Sequence, residues 1–237
     1  MKHAKRHPLI FGTIILTATG LITRVIGFFY RIYLSRLFGE EGMGIYQLLS
    51  PALSLSFSLT AAGYQTAISK YVAADSAKRP SGNLKPLLAG ISITLPLSLV
   101  TNAILFFSAD PISIFLLKDH RTVPMLRILS FSVPFAALHA CINGYFYGKK
   151  KASVPALTQL LEQLARVSCV FLVTGADLAE GRTPSINAAV LGLTVGEIFS
   201  MLIALVCLYI HLYPDSSILS LQNICPSVPV YRDLLGM

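Results

Sequence analysis

Charge is scarce in this chain. Aspartate, glutamate, lysine and arginine make up 13% of its 237 residues, against 54% hydrophobic residues. One soluble core cannot bury that much apolar surface, so a soluble single domain is not expected. Cysteine is sparse as well: Cys141, Cys169, Cys207 and Cys225 are widely spaced, with no CxxC pair and no ligand-like histidine pairing. Neither a disulfide framework nor a zinc site follows from them, and they read as small core residues. Enzyme signatures are missing too. There is no HExxH, no GxSxG, no Walker loop and no paired-aspartate motif that would bind pyrophosphate through Mg²⁺. Neither catalysis, a bound metal nor a cofactor is therefore expected. The net charge of +8 does not indicate nucleic acid, because the basic residues are scattered through short loops rather than gathered on one aromatic-rich face.

What the chain does contain is a series of apolar stretches of about 20 residues or more, the length a helix needs to cross ~30 Å of hydrocarbon. The expected fold is all-α, a polytopic membrane bundle of about six helices. They run over Leu9 to Leu37, Gly42 to Ser69, Pro86 to Ala109, Arg127 to Gly148, Val154 to Thr174, and Ile186 to Tyr213. Pro51, Gly63 and Pro96 fall inside these spans, which is tolerated where neighbouring helices satisfy the freed backbone groups. The basic start (Lys2, Lys5, Arg6) before an apolar run resembles a secretory signal with small residues at Ala18 to Gly20. Apolar character resumes after Arg24, however, and five further spans follow, so an uncleaved first helix is expected. Residues 1–213 form one expected six-helix unit, and 214–237 an irregular cytoplasmic tail.

Orientation follows from the loops. Lys2, Lys5 and Arg6, the loop bearing Lys70, Lys78, Arg79 and Lys85, and the loop Lys149 to Lys151 are opposed only by Asp75. The other loops mix Arg36, Lys118, Arg121, Arg127 and Arg182 with Glu40, Glu41, Asp110, Asp119, Asp177 and Glu180. Positive charge is retained inside, so both termini are expected in the cytoplasm of a multi-pass cell-membrane protein.

Ionisable groups at membrane depth cost about 2.5 to 3.5 kcal/mol each on translocon scales and face protein or an aqueous cavity. Arg24, Arg31, Glu162, Arg166 and Glu197 are the candidates, with Gln159 and Asn143 as polar companions. Glu162 and Arg166 are four apart on one helical face, in the favourable order for an ion pair. They either lock their helix to its neighbours or line a hydrophilic cavity. Arg24 and Arg31 are two helical turns apart, and two guanidiniums on one wall suit a phosphorylated substrate. The alternative is that Arg31 snorkels to the interface and Arg24 pairs with Glu162 or Glu197. Glu197 either pairs with an arginine or titrates to couple movement to protons. His139 has no second ligand at i+3 or i+4 and reads as a hydrogen-bonded packing residue.

Four blocks occur in order: Ile22 to Arg31 with Leu34 to Tyr46, Ala67 to Ala73, Asn143 to Lys149, and Gln159 to Arg166. Together they resemble the polysaccharide-exporter and lipid-flippase proteins of the multidrug/oligosaccharidyl-lipid/polysaccharide superfamily, over about Phe11 to Tyr213. The resemblance implies a flippase for an undecaprenyl-pyrophosphate-linked saccharide serving the spore cortex. It implies two six-helix lobes around a cavity faced by Arg24 and Arg31. The acidic residue that the lipid II flippases carry at the start of helix two has no counterpart, because Ile45, Tyr46 or Gln47 stands there. The chain reads as the N-terminal lobe, whose partners are expected to be the lipid-linked saccharide, membrane lipids, and a second lobe or a second copy. A truncated fragment that does not transport, or a membrane scaffold for envelope synthesis, is the alternative.

Overall fold

The computed structural model describes residues 8–78 and 84–212. The basic residues Lys2, Lys5, Arg6 and Arg79, Tyr213, Cys225 and the tail 214–237 lie outside the described residues. Helices occur as α1 (Pro8–Leu48), α2 (Ser50–Phe57), α3 (Gly63–Lys78), α4 (Lys85–Phe107), α5 (Ala109–Pro111), α6 (Thr122–Ser130), α7 (Ser132–Gly148), α8 (Ser153–Ala179) and α9 (Asn187–Leu212). Two π-helical turns, Ser58–Ala62 and Ile112–Leu116, interrupt the α pattern. No strand occurs among the described residues.

The first apolar helical stretch, Gly12–Ser76, is 65 residues long. At 1.5 Å per residue that is roughly 100 Å, far more than one crossing needs. It divides at Gly39, whose φ of 68° and ψ of −174° are not helical. A glycine reaches that conformation without the Cβ clash other residues would meet. Tyr30 and Leu34 before the break, and Met43 and Tyr46 after it, join one cluster around Val170 and Ala189. In a straight helix residues 30 and 46 would stand about 24 Å apart, so the chain doubles back. With the four later stretches, Lys85–Phe107, Thr122–Gly148, Ser153–Ala179 and Asn187–Leu212, the described residues hold six apolar helical segments long enough to cross a membrane.

The expected boundaries shift in three places. The second crossing is not one helix but the end of α1, then α2, a π turn and α3; Pro51 lies in the first turn of α2, and Gly63 starts α3. The fourth begins at Thr122 rather than Arg127, preceded by the short helical turns of residues 109–116. The fifth runs on to Ala179, beyond Thr174.

Large apolar side chains face outward, among them Phe107, Phe115 and Leu172, each at least 74% exposed. That is the surface a lipid-solvated bundle presents. The interior is built around α7, which packs on α3, α4 and α9. Tyr145 and Phe146 are fully or almost fully buried there against Ile68, Val72 and Leu87. Pro96 is accommodated within α4, where the Ser92 and Ser98 hydroxyls donate to the carbonyls of Ala89 and Leu95. Cys141, Cys169 and Cys207 are free thiols, and Cys141 is buried.

Two glycine pairs at i, i+4 let helices approach closely, as small residues do in membrane bundles. A Cβ on Gly144 would lie 2.6 Å from the Gln65 carbonyl oxygen, and one on Gly148 would lie 2.6 Å from Val72 Cβ. On α9, a Cβ on Gly192 would meet Val170 at 2.4 Å, and one on Gly196 would come within 3.1 Å of the Glu162 carbonyl oxygen. Because the obstacle at residue 144 is backbone, Gly144→Val should lower stability by about 3 kcal/mol, at the upper end of overpacking costs. Gly20→Ala, where a Cβ meets nothing within 4 Å, should leave it unchanged. Detergent-denaturation midpoints of the two variants check this.

Ion pairs gather in the loops where the sequence mixes both signs. Arg121 reaches Glu41 at 2.7 Å and Asp119 at 3.1 Å, Arg127 reaches Asp110 at 2.7 Å, and Arg182 reaches Glu180 at 2.8 Å. The hydrogen-bonded Arg121 side chain holds the Asp119 carboxyl below its usual range. Its contribution is present above the ordinary carboxylate pKa and is lost as pH falls through the lowered value. These exposed pairs are each worth little, but the Arg121 to Glu41 contact ties the turn at Gly39 to the loop before α6.

Candidate functional site

Inside this apolar bundle the polar side chains converge on one place. A cavity of about 240 Å³ opens between α3, α7, α8 and α9. Gln65 enters it from α3, His139 and Asn143 from α7, Gln159 and Glu162 from α8, and Glu197 from α9. The π turn Ser58–Ala62 immediately precedes α3. Such turns realign the helix that follows them and recur at functional sites. The close approach of α9 to α8 at Gly196 is what brings Glu197 beside Glu162.

His139 is 8% exposed and is held by a ring of hydroxyl and amide groups. Its Nε2 lies 2.8 Å from the Asn143 amide nitrogen, 2.9 Å from Ser200 Oγ and 3.2 Å from Thr158 Oγ1. Its Nδ1 faces Glu197 Oε2 at 3.7 Å and Ser200 Oγ at 3.3 Å. Ligand atoms of His139, Glu162 and Glu197 all lie within 4.8 Å of one another. The Arg166 guanidinium donates to Glu162 Oε1 and, at 3.4 Å, to Gln163 Oε1. The i, i+4 pair legible in the sequence is therefore formed, with both side chains about four-fifths buried.

The structure brings Asn143, Gln159, Glu162 and Glu197 together and places Arg166 at their edge. Arg24 and Arg31 lie elsewhere. Both are exposed on α1 and line a separate groove with Gly27 and Phe28. The alternative pairing of Arg24 with Glu162 or Glu197 does not form, since Glu162 takes Arg166 and Glu197 faces His139. Among the described residues neither Arg24 nor Arg31 has an ion-pair partner. His139 is hydrogen-bonded, as its reading from the sequence has it, but most of its surroundings are not local in sequence. Asn143 lies one turn on in α7, and the other partners, Thr158, Ser200 and Glu197, come from α8 and α9. Gln65, one residue in an apolar stretch, carried no local signal either.

The sequence matches the family described as "Polysaccharide biosynthesis protein" over residues 9–230. The chain belongs to that family. Within the polysaccharide biosynthesis family and its surroundings, it is similar to Stage V sporulation protein B of Bacillus subtilis (strain 168), at 36% identity over 197 residues, covering 83% of this chain and 38% of the relative. It is also similar to the Lipid II flippase MurJ of the same organism, at 27% identity over 179 residues, covering 72% of this chain and 32% of the flippase. Among solved structures, the outward-facing conformation of a multidrug resistance MATE family transporter of the MOP superfamily superposes with a TM-score of 0.76 at 16% identity. That match covers 99% of this chain and 53% of the transporter. The likeness establishes the fold: an all-α, multi-pass membrane protein. The chain spans about a third of the length of these curated relatives and about half of the transporter. One of these relatives is named as a lipid II flippase and the superposed structure as a transporter.

Proposed function

We propose that this chain forms one lobe, residues 1–213, of a flippase for a polyprenyl-pyrophosphate-linked saccharide, with both termini in the cytoplasm. The observation that carries the reading is the exposure of Arg24 and Arg31 together on one face of α1. Two guanidiniums at membrane depth, without ion-pair partners among the described residues, are costly unless they meet an anion or water. A pyrophosphate offers the bidentate acceptors that guanidinium prefers. The saccharide passes along polar surface, and the polyprenyl tail remains in lipid. The polar cavity within the bundle supplies groups able to bind substrate or a coupling proton, with Glu197 and Glu162 as its carboxylates. Transport by alternation needs a second lobe around a shared site, supplied by another polypeptide segment or a second copy. The reading is of transport, not catalysis.

The similarity to Stage V sporulation protein B supports a role in making the spore cortex, and it defines the test. The 237-residue chain is expressed in a Bacillus subtilis strain lacking that protein, alone and together with the C-terminal part of the same protein. Cortex formation restored in either case supports a flippase lobe. Absence of cortex in both, with the chain present in the membrane, favours a scaffold that does not transport.

A further inference from the structure

We propose that His139, Glu162 and Glu197 form a binding site for a divalent transition-metal ion of the zinc class, clamping α7, α8 and α9 at the polar cavity. Three independent features support it. The first is the donor set. One imidazole and two carboxylates, from three different helices, converge with ligand atoms within 4.8 Å of one another. An ion at the centre of such a triangle lies at most about 2.8 Å from each atom, so inward movements of roughly 0.7 Å or less reach zinc coordination distances. Nitrogen together with carboxylate selects this class over Mg²⁺ or Ca²⁺, which take oxygen shells.

The second feature is how the histidine is held. Metal-binding imidazoles are fixed through the ring nitrogen that does not bind the metal. Here Nε2 is surrounded by Ser200 Oγ at 2.9 Å, Thr158 Oγ1 at 3.2 Å and the Asn143 amide at 2.8 Å. Either hydroxyl oxygen accepts a proton carried on Nε2, and Asn143 does so by turning its amide oxygen inward. Nδ1 is thereby left toward the Glu197 carboxylate, 3.7 Å away. The third is the juxtaposition of like charge. Gly196 lets α9 approach so closely that a Cβ there would lie 3.5 Å from Glu162 Cγ. Arg166 binds one oxygen of Glu162, and among the described residues Glu197 faces His139 and no guanidinium. Two carboxylates sharing so small a space favour a cation between them. The cavity admits water to complete the coordination shell.

The test uses the full chain purified in detergent, stripped with a chelator and titrated with Zn²⁺ by calorimetry and with Co²⁺ by visible absorption. The expected result is one ion per chain, with affinity reduced at least about 100-fold in His139→Ala and Glu197→Gln and about 10-fold in Asn143→Ala, the usual range for a supporting residue. Circular dichroism separates loss of binding from loss of fold, and the isosteric Glu197→Gln keeps the packing. No binding by the folded parent chain overturns the proposal. So does binding that survives both His139→Ala and Glu197→Gln, which would assign the ion to other histidines such as His3 and His7.

Discussion

Arg24→Ala should reduce transport by about 100-fold while leaving the amount of protein in the membrane unchanged. Arg24 is exposed on α1, its groove is shared with Arg31, and it has no ion-pair partner among the described residues. Removing it therefore breaks no internal contact on which the fold depends. If it binds a pyrophosphate, truncation forfeits a charge-assisted, bidentate interaction worth about 3 kcal/mol, which is about two powers of ten in affinity. Arg24→Lys should recover only part of the loss, because an ammonium keeps the charge but not the planar fork. The measurement is translocation of a lipid-linked saccharide into vesicles containing the chain and its completing lobe, with membrane content followed by immunoblot. Full transport by Arg24→Ala would remove the arginine from the substrate path. Loss of the protein itself would make its role structural.

The second large effect is on stability. Arg166→Leu should destabilise the bundle by about 3 kcal/mol, the lower end of the cost of breaking a buried ion pair, because each side chain remains about one-fifth exposed. The cost arises from what is left behind: Glu162 loses its guanidinium while Glu197 stays beside it. Glu162→Leu combined with Arg166→Leu should recover most of the loss, since a well-packed apolar pair is often as stable as the ionic one. Exchanging the two, Glu162→Arg with Arg166→Glu, separates local pairing from a role in the cavity. A pair that serves only itself tolerates the exchange, whereas one that also serves His139 and Glu197 does not. Unfolding in increasing sodium dodecyl sulfate, followed by circular dichroism, reads all three variants.

The two arginine pairs of residues differ in how far sequence reasoning could follow them. Glu162 and Arg166 share one helix, and helical geometry alone places them together, so their contact was legible. Arg24 and Arg31 were legible as companions for the same reason, but not their separation from the polar cavity. That depends on which face of α1 is buried: Tyr30 and Leu34 join the cluster around Val170 of α8, while Arg24 and Arg31 remain exposed.

Composition and hydrophobic run lengths alone determined that this is an all-α membrane protein, because apolar runs of about 20 residues match the length at which an internally hydrogen-bonded helix crosses the hydrocarbon, about twice what a barrel strand needs. Pairings within a single helix were equally determined, since the 3.6-residue repeat is local. The tertiary structure alone decided that residues 8–48 reverse at Gly39 and that α7, α8 and α9 meet at His139, Glu162 and Glu197. Those residues are 23 and 35 positions apart in succession. Their meeting rests on which small residues let which helices approach, a property of packed surfaces rather than of any local run of sequence.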